Sequence, residues 1–136
     1  MTAVAIRAYL RPVKSSSGWI ARRVILLLLL VATLATLYTM ATLRWSYSEG
    51  ERVGWVQKFS KKGWLCKTWE GELAMVTMPG AIPEKFFFSV RDDRVADRLN
   101  RSLGKRVALT YTEHVGVPTT CFAETGYFVS DVKVLE

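Results

Sequence analysis

Val24–Leu43 reads VILLLLLVATLATLYTMATL, 20 residues without a charge. As a helix it spans about 30 Å, the hydrocarbon thickness of a bilayer. Five successive Leu, Leu26 to Leu30, leave no polar face, so this is no amphipathic surface helix. A buried core helix is the competing structure, but a chain of 136 residues is too small to surround it. A cleaved signal peptide is the other alternative. Thr39-Met40-Ala41 makes a poor cleavage site, and the apolar run exceeds the usual ~7–15 residues of such a signal. The run therefore reads as a single transmembrane span in contact with the lipid bilayer.

Outward on the N-terminal side, residues 1–23 hold Arg7, Arg11, Lys14, Arg22 and Arg23 and no acid. The positive-inside bias puts this arm in the cytoplasm and the C-terminal part on the exported side. Arg22 and Arg23 abut the span. Trp19 precedes it and Trp45 follows it, with rings suited to the two headgroup layers. Pro12 and the Ser15–Gly18 cluster read as a tail. Inside the span, Ala32/Thr36 and Ala35/Thr39 are small-xxx-small pairs, which permit close approach of a second copy and so a homo-oligomer through this helix. The expected organisation is a basic cytoplasmic arm (1–23), the span (24–43), a linker (44–50) and an exported domain (51–136).

The same division resolves the charge. The whole chain carries a formal +7, which would invite nucleic acid or an anionic surface as partner. Residues 45–136 hold 13 Lys and Arg against 12 Asp and Glu, so the exported part is nearly neutral and the excess is a topology signal. No nucleic-acid partner is expected.

Within the exported domain, Arg52–Ser60 alternates as a strand with Val53, Trp55, Gln57 and Phe59 on one face. Lys61-Lys62-Gly63 reads as a turn, and Trp64–Thr77 as a long second strand with a bulge or bend at Gly71. Pro79–Pro83 is a loop and Lys85–Arg91 a third strand. Asp92 or Asp93 caps a helix with an apolar stripe of Val95, Leu99 and Leu103, stopped by Gly104. Arg106–His114 and Tyr127–Leu135 are the last strands, joined by a loop over 115–126. The order β-β-β-α-β-β predicts an OB-fold-like five-stranded barrel, and closure removes exposed strand edges from a small domain. An open α+β sheet with one helix on its face is the alternative.

Cys66 and Cys121 both lie on the exported side, where disulfides persist. In a barrel of this order they sit in two loops flanking one face, so a bridge is sterically reasonable; two free thiols are the alternative. The candidate interaction surface is this hairpin and loop: Lys61, Lys62, Trp64, Lys67, Val117 and Thr119. Lys58 and Trp55, Trp64 and Trp69 add a basic-aromatic character used elsewhere for single strands.

Catalytic groups are hard to assemble. His114 is the single His, two Cys far apart lack a chelating spacing, and no metal or other cofactor is expected. Neither G-x-G-x-x-G nor G-x-x-x-x-G-K-[ST] occurs. Ser102 and Lys105 fit S-x-x-K without its companion motifs. Glu70 and Glu72 share a strand face and read as exposed. The chain is expected not to be an enzyme but a binding or accessory module for an envelope protein. The alternative is an envelope ligand held by the barrel face, such as an oligosaccharide, lipid headgroup or peptidoglycan fragment.

QKFSKKGWLCKTWEGELAM (57–75), FFFSVRDD (86–93) and CFAETGYFV (121–129) resemble a family of small bacterial membrane-anchored proteins of unknown role. Such proteins often carry the label 6-phosphogluconate dehydrogenase, to which this short chain without a dinucleotide fingerprint gives no support. The resemblance implies a bacterial inner membrane, a periplasmic domain containing both Cys, and no particular activity.

Overall fold

A computed structural model describes residues 17–75 and 78–135. The arm's Arg7, Arg11, Lys14 and Pro12 lie outside the described residues. The chain divides into two units, Met1–Thr36 and Leu37–Glu136.

Helix α1, Ser17–Arg44, is long and apolar enough to cross a membrane. It starts earlier than the charge-free run because Trp19, Arg22 and Arg23 continue the helical turn, with the Arg23 guanidinium 3.6 Å over the Trp19 ring. The Thr33 and Thr36 hydroxyls donate to carbonyls four residues back, each at 2.8 Å. Their polar atoms are thereby satisfied within the helix, as an apolar surrounding requires.

The second unit carries β1 (Ser48–Lys62), β2 (Thr68–Met75), β3 (Glu84–Val90), α2 (Asp93–Arg101), β4 (Arg106–Glu113) and β5 (Tyr127–Val134). The strands close a barrel in the order β1-β2-β3-β5-β4. This is the OB-like β-β-β-α-β-β arrangement that the order of elements predicts, and not an open sheet.

Four details differ from the sequence reading. First, β1 begins at Ser48, inside the segment read as a linker, because Ser48–Trp55 pairs continuously with Arg106–Glu113. Second, the long bent strand is β1 rather than β2. The irregularity lies between Val56 and Lys58, and it lets Val56 and Phe59, three residues apart, both face the core. The alternation read from Val53 through Phe59 misses this, and Val53 is exposed.

Third, Gly71 sits in regular pairing with Phe59 and Phe88. A Cβ there would lie 2.3 Å from the Phe88 ring, so glycine makes room for packed aromatics instead of a bend. Fourth, α2 stops at Arg101, and Leu103 is exposed; Ala96 joins Val95 and Leu99 on the buried face. Asp92 is the N-cap, its carboxylate accepting from the Arg94 N–H at 2.9 Å.

The core combines Val56, Phe59, Leu73, Phe86, Phe88, Leu99, Leu109 and Val132 with residues from every strand and α2. Phe59 stacks on Trp69 at 5.2 Å and 3°, which carries aromatic packing outward to the barrel rim.

Candidate binding face at the clamped loops

Between β1 and β2 the chain turns through Gly63 at φ 133°, a left-handed conformation that favours glycine. Space is equally restrictive, since a Cβ there would collide with the Cys66 carbonyl. The tight turn pushes Trp64 and Leu65 outward: they are 98% and 84% exposed. The sequence reading put both in a strand, but β2 starts only at Thr68.

Cys66 and Cys121 are joined as a disulfide, tying this hairpin to the loop over 114–126. The loop is held a second time by a buried carboxylate. Glu70, read as exposed, is 4% exposed. It accepts a hydrogen bond from the Ser89 hydroxyl at 2.6 Å and from the Glu124 N–H at 3.1 Å. The Thr125 N–H donates to Ser89 Oγ at 3.2 Å. Lys62 adds an exposed ion pair to Glu124 at 3.3 Å. Two loops far apart in sequence thus form one preorganised unit.

Beside the disulfide lies a cleft of about 340 Å³, lined by Lys61, Lys67, Thr68, Trp69, Val90, Arg91, Asp93, Cys121 and Phe122. Trp69 Nε1–H donates to Asp93 at 3.0 Å, at the first residue of α2, which fixes the indole and occupies one oxygen of the acid. Lys61 Nζ stands 5.3 Å from the Trp69 ring centre. Lys67 and Arg91 have no carboxylate within ion-pair distance among the described residues. The segment 58–67 holds four Lys and no acid, so the rim is positive although the domain is nearly neutral.

The predicted surface is therefore divided. Lys61 and Lys67 share the cleft, whereas Trp64 does not line it and stands exposed on the turn before Cys66. Lys62 lines a separate small pocket with Glu70 and Glu124. Val117 and Thr119 line a depression within the loop itself, with His114. His114 is half-buried, its Nε2 3.2 Å from the Thr112 hydroxyl and its ring edge-on to Phe128. Sequence reasoning missed Leu65, Arg91 and Phe122. For Leu65 a signal existed, because an apolar pair trapped between a turn glycine and a bridged Cys has little room to turn inward.

Among the described residues no cluster of His, Cys, Asp or Glu could hold a metal ion. Ser102 Oγ donates to the Arg98 carbonyl at 2.7 Å at the end of α2.

The chain belongs to the family described as a domain of unknown function (DUF8785), whose profile matches residues 45–136. No curated protein matches. The fold is similar to that of the mitochondrial single-stranded DNA-binding protein Rim1 of S. cerevisiae. The TM-score is 0.52 at 11% identity, over 68% of this chain and 97% of that one. At that identity the likeness shows the OB fold alone.

Proposed function

We propose that this member of the family is a membrane-tethered binding module, without catalysis of its own, whose disulfide-clamped face docks an envelope protein. Its arm lies in the cytoplasm and its barrel in the bacterial periplasm, as the basic flank and the bridged Cys pair suggest. The observation that carries the reading is Trp64 and Leu65 standing almost fully exposed on a loop pinned at both ends. Covering one Trp withdraws roughly 200 Å² from water, about 5 kcal/mol gross. Association itself costs about 4–15 kcal/mol, so the tip needs further contacts, and the adjoining cleft offers them. Rigid loops reduce the ordering cost. Exposed aromatics in a charged rim match the composition of interface hot spots.

The test is co-purification of the full chain from native membranes in mild detergent. A stoichiometric partner is expected, and Trp64→Ala with Leu65→Ala should lower its affinity about 30-fold or more, the effect of a hot spot worth 2 kcal/mol. A partner retained equally by that variant, or a clean monomer, contradicts the reading. Direct binding of an envelope ligand predicts something else: saturable binding by the cleft that is lost with Lys61→Glu and Lys67→Glu but indifferent to Leu65. A single-stranded oligonucleotide belongs in the same assay, since the Rim1 likeness concerns a DNA-binding protein.

A further inference from the structure

The barrel is not equally closed all round. Every seam has seven or eight paired residues except that between β3 and β5, which has one, Ser89↔Phe128. Beyond it β3 and the chain entering β5 diverge, leaving a groove of about 410 Å³ between Glu84–Phe87 and Thr125–Tyr127. Along this side Glu84–Phe87 lacks a ladder partner, so the outward main-chain groups beside the exposed Glu84, Lys85 and Phe87 are open to an extended chain, while Phe88 is fully buried. Pro83 and the exposed charges of Glu84 and Lys85 guard only the start of this edge, and the Lys85 ammonium is drawn to Glu72 on β2, 2.6 Å away.

Arg52 lies in the same groove. Its guanidinium sits 4.6 Å from the Phe86 ring centre and 5.6 Å from that of Tyr111. Among the described residues it has no carboxylate within ion-pair distance, and its hydrogen bond goes to the Met75 sulfur at 3.5 Å, a weak acceptor. A half-buried guanidinium positioned by aromatic rings retains donors for a carboxylate. Glu84, on the groove's rim, is exposed and does not pair with it.

We propose that this groove is a strand-addition site: an extended acidic segment of a partner protein pairs its main chain with Glu84–Phe87 and sets a carboxylate on Arg52. Backbone pairing supplies affinity and the carboxylate supplies choice of register. The site is separate from the clamped face and stands whether or not that face docks anything.

Its probe is a ten-residue synthetic peptide alternating Val or Thr with Glu, titrated against the full chain in detergent micelles. Hydrogen exchange is read in parallel. Saturable binding is expected, with slowed exchange at residues 84–87 and not at 61–69. Replacing the Glu residues by Lys should weaken binding at least tenfold, and Pro at alternate positions should abolish it. Arg52→Gln should cost about tenfold, whereas Arg101→Gln, the loss of one exposed positive charge on α2, leaves binding unchanged. If Arg52→Gln does not fold, the Glu-against-Lys comparison on the unaltered chain reads the same interaction. No saturable binding, equal binding of the Pro peptide, or protection at 61–69 instead overturns the proposal.

Discussion

Replacing Cys66 and Cys121 together by Ser removes the clamp and puts a number on it. The bond joins residues 55 apart in sequence. Closing a loop of that length removes chain entropy from the unfolded state worth about 4 kcal/mol at 25 °C. Domains commonly have about 5–15 kcal/mol of total stability, so the loss is a large share. The folded state should change little, because Glu70 still accepts from Ser89 and from the Glu124 N–H. The double variant should therefore keep the wild-type near-ultraviolet circular dichroism. Urea unfolding of the full chain in micelles should show stability lower by 3–4 kcal/mol, together with a steeper urea dependence as the uncrosslinked unfolded chain expands. Reductant should shift the wild type to the same midpoint. A loss below about 1 kcal/mol, against the ~4 expected from loop closure, refutes the reasoning. So do two readily alkylated thiols in the native protein.

Gly71→Ala should destabilise by about 1–3 kcal/mol, since the new methyl meets the fully buried Phe88 ring; a neutral result in urea unfolding would show that the aromatic cluster can yield. Glu70→Ala leaves the Glu124 N–H without its acceptor and the buried Ser89 hydroxyl with Thr125 Oγ1, 2.8 Å away, in place of a carboxylate. It should cost about 1–3 kcal/mol and speed hydrogen exchange at 123–126, and unchanged exchange there would show the disulfide alone holds the loop. The Asp131 carboxyl is held below its usual range by hydrogen bonding to the Arg98 guanidinium and then to the Val132 N–H. Because the folded value is depressed, this stabilisation is present above about pH 4, the unfolded value, and fades as pH falls through the folded one. Asp131→Asn should flatten the acid limb of stability by on the order of 0.5 kcal/mol, as befits an exposed pair; an acid limb identical to wild type contradicts that origin.

The apolar helix and the element order of the barrel are both readable from sequence because their signals are long. A run without charges and a sequence of alternating strands around one capped helix survive local error. What resisted were features in which one residue changes the phase of its neighbours. Gln57 reads as one position in a smooth alternation, yet the irregularity beside it turns Val56 inward and Val53 outward. Gly71 carries no side chain to show whether it bends a strand or admits Phe88. Glu70 reads as exposed by residue type, and only the distant Ser89 and the returning loop supply its partners. At the site, Lys61 and Lys67 are legible from charge, and the Cys pair from its place in two loops of a barrel of this order. Arg91 and Phe122 enter the cleft through the tertiary fold. Arg52 gains its significance only from the short β3–β5 seam.

The central claim is that the disulfide-clamped tip is a docking surface. A photoreactive amino acid placed at position 64 of the full chain, activated in intact membranes, tests it most directly. One discrete protein adduct is expected, weakened by Lys61→Glu with Lys67→Glu and absent when the same group is placed at exposed position 130. No adduct at 64, or the same adducts from both positions, would contradict the claim.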